Sequence, residues 1–196
     1  MATPELPIRT ARLELRRFEQ ADLPALTAMR SREDVARYLL RPALSPEECG
    51  AELERAMAVR TLEHEGEALD LAVVRRDTGA FIGDVILFFR NAEDGLGEIG
   101  FVFHPDHHGM GFAREAATAM LGVGFDVFGF HRVIGRCDAD NTASAGLMER
   151  LGMRREAHFV RNARLKGRWA DELVYAILDD EWAARRPSAS PRQPTA

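Results

Sequence analysis

The stretch that most constrains this chain is a glycine-containing loop between a β-rich run and a helical run. Residues 98–104 are β-rich and stop at Pro105, while residues 114–130 place small and apolar side chains on one helical stripe. A strand, a glycine loop and a helix in that order direct free backbone N–H groups at one point, where the helix dipole favours negative charge. Gly109 and Gly111 let a ligand approach the backbone without a Cβ in the way. The stretch therefore predicts a phosphate-binding loop.

Spacing excludes two familiar phosphate-binding loops. A Walker loop ends in Gly-Lys-Ser/Thr, and Lys166 is the only lysine of the chain. A dinucleotide-binding loop needs a third glycine three residues after the second, and Arg114 stands there. A glycine loop is also compatible with an ordinary turn, so the motif alone does not establish a site.

Composition limits the class of protein. A chain of 196 residues is long enough for one domain with a substantial core, which we place at residues 1–186, and the Pro- and Ser-rich residues 187–196 predict a disordered tail. A net charge of −5 argues against a nucleic-acid partner. Cys49 and Cys137 have neither metal-ligand nor disulfide-framework spacing, which favours free thiols in a reducing compartment. Without a signal peptide or a run of 18 apolar residues, we expect a soluble cytoplasmic protein with no membrane partner.

The order of predicted elements indicates an α+β class with a mixed, mostly antiparallel sheet. Short turns join the strands near residues 69–76, 81–90 and 98–104, so these three strands form an antiparallel meander. The strand near residues 132–137 follows the loop and its helix, and a right-handed crossover makes it parallel to the strand before the loop. Other strands are predicted at residues 12–18, 153–163 and 171–178, and helices at residues 20–30, 33–40, 114–130 and 141–151.

One further helix has a strong start signal at Ser45. Ser45 caps it, Pro46 takes the first position and Glu48 closes a capping box. Its predicted buried stripe consists of Cys49, Leu53, Ala56 and Met57.

The glycine loop resembles the acyl-CoA loop of the GNAT acetyltransferases, Gln/Arg-x-x-Gly-x-Gly/Ala. The match covers His108, Gly109, Met110, Gly111, Phe112 and Ala113 at every position except the first, where His108 replaces Gln or Arg. The order of elements resembles the GNAT fold over about residues 8–182. This resemblance implies acetyl-CoA as co-substrate, no metal, and a central parallel strand pair that splays apart. The pantetheine arm would enter the gap and pair with the backbone of Phe101, Val102 and Phe103.

Several separated segments look like the RimJ/RimL-type branch of that family, which includes protein N-terminal alanine acetyltransferases. They are residues 10–16, 97–101, 141–153, 166–171 and 175–178, and they occur in the same order. The resemblance is compatible with a homodimer, and it leaves open whether the acceptor is a peptide N-terminus or a small-molecule amine.

Acetyl transfer to an amine requires a neutral nucleophile. The amine of a protein N-terminus has a pKa of about 8 and a lysine-like amine has one of about 10.4, so either must lose a proton before it attacks. Glu98 stands on the strand beside the expected thioester, where the superfamily often has its general base, and we predict that it acts through a water. The alternative is a carboxylate paired with a neighbouring arginine. A backbone N–H from residues 101–103 would stabilise the developing oxyanion.

The departing thiolate needs a hydrogen bond or a proton. Many GNAT enzymes use a tyrosine, and the matching position here is Met148. Ser144, the position that RimL-like enzymes use, is our candidate donor; the alternative is a small polar residue in a first helical turn. Asn141 caps that helix and, by the resemblance, can also bind a pantetheine amide.

Two further sets of residues are weaker candidates. His104, His107 and His108 satisfy the ligand count of a catalytic zinc, but two are adjacent within a loop that already has another role, so we predict no metal. Tyr38, Arg41 and Trp169 are candidates for the acceptor side because, in the resemblance, the early helices and the last hairpin border the same cleft; the alternative is aromatic core or rim residues.

Two functions follow from different classes of protein. The first is an acetyl-CoA-dependent N-acetyltransferase that works by direct attack in a ternary complex, since no nucleophile–base pair stands out in the sequence. The second is a non-catalytic acyl-CoA-binding sensor or interaction module, which would keep the loop and tolerate loss of Glu98 and Ser144. Both residues are present, which favours the enzyme.

Overall fold

One mixed eight-stranded sheet forms the centre of the molecule in a computed structural model that describes residues 3–39 and 41–185. The strands are β1 (Ile8–Arg9), β2 (Leu13–Arg16), β3 (Ala68–Arg75), β4 (Phe81–Asn91), β5 (Leu96–Phe103), β6 (Arg132–Asp138), β7 (Arg154–Leu165) and β8 (Arg168–Leu178). The α-helices of the described ranges are α1 (Leu23–Arg30), α2 (Glu33–Ala36), α3 (Pro46–Ala58), α4 (Phe112–Gly122), α5 (Thr142–Leu151) and α6 (Asp179–Arg185). The predicted tail, residues 187–196, lies outside these ranges.

The sheet order is β1-β2-β3-β4-β5-β6-β8-β7. Strands β3, β4 and β5 form the predicted antiparallel meander, and β5 with β6 is the parallel pair that the crossover through α4 requires. The other neighbours pair antiparallel. The predicted α+β class and mixed sheet are confirmed.

Successive side chains along each strand point to opposite faces of the sheet. Odd-numbered residues of β3 and β5, such as Leu71 and Ile99, belong to the core cluster that includes α4. Even-numbered residues face α1 and α3, where Leu26, Met29 and Leu53 form a smaller cluster. Polar positions on this second face are therefore the ones that remain available for a site.

Local signals set most helix ends as predicted. Ser45 Oγ accepts a hydrogen bond from the Glu48 N–H at 3.2 Å, and the Ser45 N–H donates to the Glu48 carboxylate at 2.7 Å, which completes the capping box of α3. Gly152 ends α5 with a φ of 90°, in the left-handed region that favours glycine.

Three local predictions need correction. Helix α2 ends at Ala36 rather than near residue 40, and α4 gives way after Gly122 to a π-helical turn over Val123–Val127. Met57 is 37% exposed, because it lies about 80° around the helix from Cys49 while Ala56 lies within about 20°. The buried face of α3 is therefore narrower than the predicted stripe.

Cys49 is buried and Cys137 is half-buried, and both thiols are free. Burial raises the pKa of Cys137 to about 11, helped by the charges of Asp138 and Glu172, so this thiol is a poor nucleophile near neutral pH. Within residues 3–39 and 41–185, no helix is both long and apolar enough to cross a membrane.

Candidate active site

The parallel strands β5 and β6 separate partway along their length. Their pairing runs from Leu96–Arg132 to Glu98–Ile134 and stops there. Beyond that point β5 continues to pair with β4, and β6 continues to pair with β8. The sheet therefore has a gap, with unpaired backbone on the β6-facing edge of β5, where an extended amide chain can add as a strand would.

The glycine loop lies at the far end of β5. Its backbone has φ angles of 74° at Gly109 and 80° at Gly111, the residue immediately before α4. Glycine adopts these left-handed angles without strain, and within the described part of the chain no atom lies within 4 Å of a Cβ built on Gly109. The open space above the loop and the free N–H groups of the first turn of α4 fit a phosphate group.

His108 does not extend toward this open space. Its Nε2 lies 3.0 Å from the carbonyl oxygen of Phe103, and the Nε2–H tautomer donates to it. The residue that replaces the family's Gln or Arg therefore ties the loop to the end of β5.

A second tie to the loop was not predicted from the sequence. Arg12 Nε contacts Glu115 Oε2 at 2.7 Å, and Arg12 Nη1 donates to the Met110 carbonyl oxygen at 2.8 Å. Thr10 Oγ1 donates to Glu115 Oε1 at 2.6 Å, and the Arg12 guanidinium stacks 4.4 Å above the Phe112 ring. Burial raises the pKa of Glu115, but the hydrogen bonds from Thr10 and Arg12 outweigh it and the pKa is lowered. The only sequence signal was that residues 10–16 belong to the family-like segments.

A cavity of about 1280 Å³ opens on the face of the sheet that carries α1 and α3, and the β7–β8 hairpin borders it. The hairpin reaches across to α2, where Lys166 Nζ donates to the Ala36 carbonyl oxygen at 2.6 Å. Seven of the sequence candidates line this cavity: Tyr38, Arg41, Glu98, Phe101, Val102, Asn141 and Ser144.

The remaining candidates lie elsewhere. The Phe103 side chain is buried in the core on the opposite face, so only its backbone can face the gap. Trp169 is 61% exposed and is not part of the cavity lining. Residues 108–113 lie beyond the end of β5, outside the cavity, where they could hold the distal part of a ligand that enters through the gap.

Glu98 lies where the two strands part, and its carboxylate is paired with arginine, which is one of its two predicted environments. Oε2 accepts a hydrogen bond from Arg90 Nε at 2.8 Å, and Arg136 Nε lies 3.8 Å away. The side chain is 14% exposed and lines the cavity, and Oε1 has no hydrogen-bond partner among the described residues. One oxygen is therefore held by arginine while the other is free to bind a water.

The start of α5 faces the same gap. Asn141 Oδ1 accepts a hydrogen bond from the Ser144 N–H at 3.1 Å, which confirms that Asn141 caps the helix. The Ser144 hydroxyl makes no hydrogen bond within the described part of the chain and borders the cavity. Met148, where many relatives have tyrosine, is buried against Gly135 and offers no proton.

A buried charged cluster at the inner end of the cavity was also missed from the sequence. Arg30 Nη2 donates to both oxygens of Asp84 at 2.8 and 2.9 Å, and Arg30 Nε lies 3.0 Å from Glu52. Arg41 also pairs with Glu52, and Asp70 lies beside this group. The available signal was a carboxylate inside each of two apolar strand runs, at positions 70 and 84, which is rare unless the charge is paired.

No group of three or more His, Cys, Asp or Glu side chains in the described ranges is arranged to hold a metal ion. His104 and His107 instead stack edge to face at 6.1 Å, and His107 packs against Phe112. Burial and the positive charge of Arg75 lower the pKa of His107, so its neutral form is favoured.

A splayed parallel pair, a glycine loop at a helix N-terminus and a carboxylate at the strand junction together define an acyl-CoA transferase architecture. The family model of the acetyltransferase (GNAT) domain matches residues 12–154, and the chain therefore belongs to the GNAT family of N-acetyltransferases.

Individual relatives agree with this assignment. The chain is 34% identical over 176 residues to the N-acetyltransferase YnaD of Bacillus subtilis, covering 89% of this chain and 98% of YnaD. A GNAT-family acetyltransferase structure from Bacillus anthracis superposes with a TM-score of 0.80 at 31% identity, covering 89% of this chain and 99% of that one. The spermidine N(1)-acetyltransferase of Vibrio cholerae is 25% identical over 176 residues, covering 89% and 98%.

Proposed function

We propose that this protein transfers an acetyl group from acetyl-CoA to a primary amine by direct attack in a ternary complex. The observation that carries the proposal is the position of Glu98, whose partly free carboxylate enters the cavity where β5 and β6 separate. A proton acceptor at that point would lie beside the β6-facing edge of β5, to which a thioester arm could add.

The residues that could hold acetyl-CoA lie along the gap between β5 and β6 and at the glycine loop beyond it. The β6-facing edge of β5 over residues 101–103 would pair with the pantetheine amides, and Asn141 offers its amide at the start of α5. The backbone of residues 109–113 would receive the pyrophosphate. When bound, acetyl-CoA supplies an activated acyl group and a good leaving thiolate.

Glu98 would take the proton of the incoming ammonium through a water on Oε1. Arg90 holds Oε2, so the carboxylate keeps a fixed orientation and directs its free oxygen into the cavity. A general base contributes about 10²- to 10⁴-fold to the rate of such a proton transfer.

Two donors would stabilise the charge that develops during transfer. A backbone N–H of residues 101–103 on the open edge of β5 would donate to the carbonyl oxygen, with no reorganisation because the strand is held by β4. The Ser144 hydroxyl would donate to the departing thiolate, since it is free of other partners in the described part of the chain and borders the cavity.

Charge in the cavity favours a small cationic amine as acceptor. Eight carboxylate side chains line it, against five guanidinium groups, which attracts cations. A relative acts, by its name, on spermidine. The segments that look like the RimJ/RimL-type branch support a protein N-terminus as the second candidate.

The test is thiol release from acetyl-CoA with a panel of small amines and of peptides beginning with Ala, Ser or Met. Wild type should turn over at least one class, and Glu98→Gln should lower kcat by about 10²-fold or more while calorimetry shows unchanged acetyl-CoA affinity. Glu93→Gln, on the exposed β4–β5 turn, is the matched control and should behave like wild type. Acetyl-CoA binding without any turnover would support the sensor or interaction module instead.

A further inference from the structure

The inner end of the cavity contains one carboxyl group that the proposed chemistry does not use. Asp70 projects from β3, is only 9% exposed, and lines the cavity. Its Oδ1 is buried without a hydrogen-bond partner in the described ranges. Burying an unpaired carboxyl group costs free energy, so a partner supplied by a ligand would stabilise it.

The guanidinium groups of Arg30 and Arg41 form salt bridges with other carboxylates, while Arg30 Nε and Nη1 make no hydrogen bond in the described ranges. Arg30 is held between Asp84 and Glu52, and Arg41 is shared with the same Glu52. Three carboxyl groups therefore share the two guanidinium groups that form salt bridges here, and Asp70 is the one without a salt bridge in the described ranges. Burial, with repulsion from Asp84, raises the pKa of Asp70 well above its ordinary range, and burial raises the pKa of Asp84 to about 6 despite Arg30.

The path from this cluster to the reaction centre is apolar. Asp70 pairs with Ile86 on β4, which pairs with Gly100 on β5, so the three positions lie in one row on the cavity face. Glu98 is two residues from Gly100 on the same face. Two strand spacings separate the backbone of Asp70 from that of Gly100 by about 10 Å. Ile86 and Gly100 offer nothing polar between the two charged ends except backbone already paired in the sheet.

We propose that Asp70 forms a subsite for a second cationic group of the acceptor, so that the preferred substrate is an alkyl diamine or longer polyamine. This inference rests on the proposed function and specifies the acceptor for the same site. One ammonium would lie at Asp70, the alkyl stem would cross Ile86 and Gly100, and the reacting amine would reach Glu98. The ammonium would give Asp70 Oδ1 the hydrogen-bond donor that it lacks, which a monoamine cannot do while its only amine lies at Glu98.

Matched acceptors test the subsite: putrescine against n-butylamine, and cadaverine against n-pentylamine. For wild type we expect kcat/KM to favour the diamine of at least one pair by about 10- to 100-fold, the range expected of one charge-assisted hydrogen bond. Asp70→Asn should remove this preference while leaving kcat/KM for the monoamine within a few-fold. Asp77→Asn makes the same chemical change on the exposed β3–β4 turn and should keep the preference.

Several outcomes would overturn the subsite. Equal kcat/KM within both pairs for wild type does so while leaving the proposed function intact, and so does an undiminished preference in Asp70→Asn. If Asp70→Asn does not fold, the wild-type comparison decides alone.

A protein inactive with every amine would refute the proposed function but not decide the subsite. Calorimetry in the presence of CoA then decides it. Binding of cadaverine at least tenfold tighter than n-pentylamine supports the subsite, and equal or absent binding overturns it.

Discussion

A single methyl group added to the glycine loop tests the phosphate-binding role most directly. Gly109 and Gly79 have nearly the same φ, 74° and 72°, and a Cβ built on either meets no atom of the described residues within 4 Å. Alanine at either position therefore incurs the same left-handed strain, about 1–2 kcal/mol. For a chain of 196 residues this lowers Tm by about 3–6 °C in both variants.

The two variants should differ only in binding acetyl-CoA. Gly79 lies in the β3–β4 turn, whereas the Cβ of Gly109→Ala enters the open space where we place the pyrophosphate. Loss of one backbone hydrogen bond to a charged phosphate costs about 1.5–3 kcal/mol, so Kd should rise by about 10- to 100-fold. Gly79→Ala should bind with the affinity of wild type.

Isothermal calorimetry with acetyl-CoA measures the affinity, and differential scanning calorimetry confirms the matched loss of stability. Equal affinities for wild type, Gly79→Ala and Gly109→Ala, with the expected fall in Tm, would refute the assignment of the pyrophosphate to this loop. A large loss of affinity in both variants would show that strain, rather than position, is responsible.

Three further predictions concern other parts of the site. Ser144→Ala should lower kcat by about tenfold or more with unchanged acetyl-CoA affinity, because it removes the donor to the thiolate; an unchanged kcat would exclude that role. Glu115→Gln should cost about 1 kcal/mol of unfolding free energy at pH 7, after allowance for solvent screening, because the acceptor of Thr10 and Arg12 is weakened. Since the folded-state pKa of Glu115 is lowered, this stability is present above the unfolded pKa of about 4.3 and is lost as the pH falls through the folded pKa. Urea unfolding should therefore show the difference in unfolding free energy between wild type and Glu115→Gln vanish below about pH 4. A difference that does not change with pH would contradict this. The pKa of Asp70 is raised in the folded state, so wild type loses stability as the pH rises above about 3.9. In urea unfolding, Asp70→Asn should therefore be more stable than wild type at about pH 7 and equal to it near pH 4. A variant less stable than wild type at about pH 7 would contradict this.

Features that depend on residues close in sequence were predictable. The Ser45 capping box, the Gly152 helix end and the β3–β4–β5 meander each rest on a few neighbouring residues, and the structure has all three. The glycine loop belongs to the same group, since its strand, turn and helix follow one another directly. Local backbone preferences and short turns leave few alternatives at this range.

Contacts between distant segments were not predictable in the same way. Arg12 meets Glu115 across 103 positions of the chain, and Arg30 meets Asp84 across 54. Such pairs form only once the sheet order brings β2 beside the start of α4, and α1 over β4. The Trp169 side chain, a predicted acceptor-side residue, is 61% exposed, which its sequence position alone does not indicate.

The class of fold, the glycine loop and the strand that carries Glu98 could therefore be predicted from the sequence. Alternation and glycine spacing specify a strand and a helix start without reference to the rest of the chain. Only the folded chain shows that Arg90 holds one oxygen of Glu98, and that Asp70 Oδ1 is buried in the same cavity without a hydrogen-bond partner among the described residues. The physical reason is that the environment of a charge depends on which side chains surround it in space, and strand register and packing between distant segments set those neighbours.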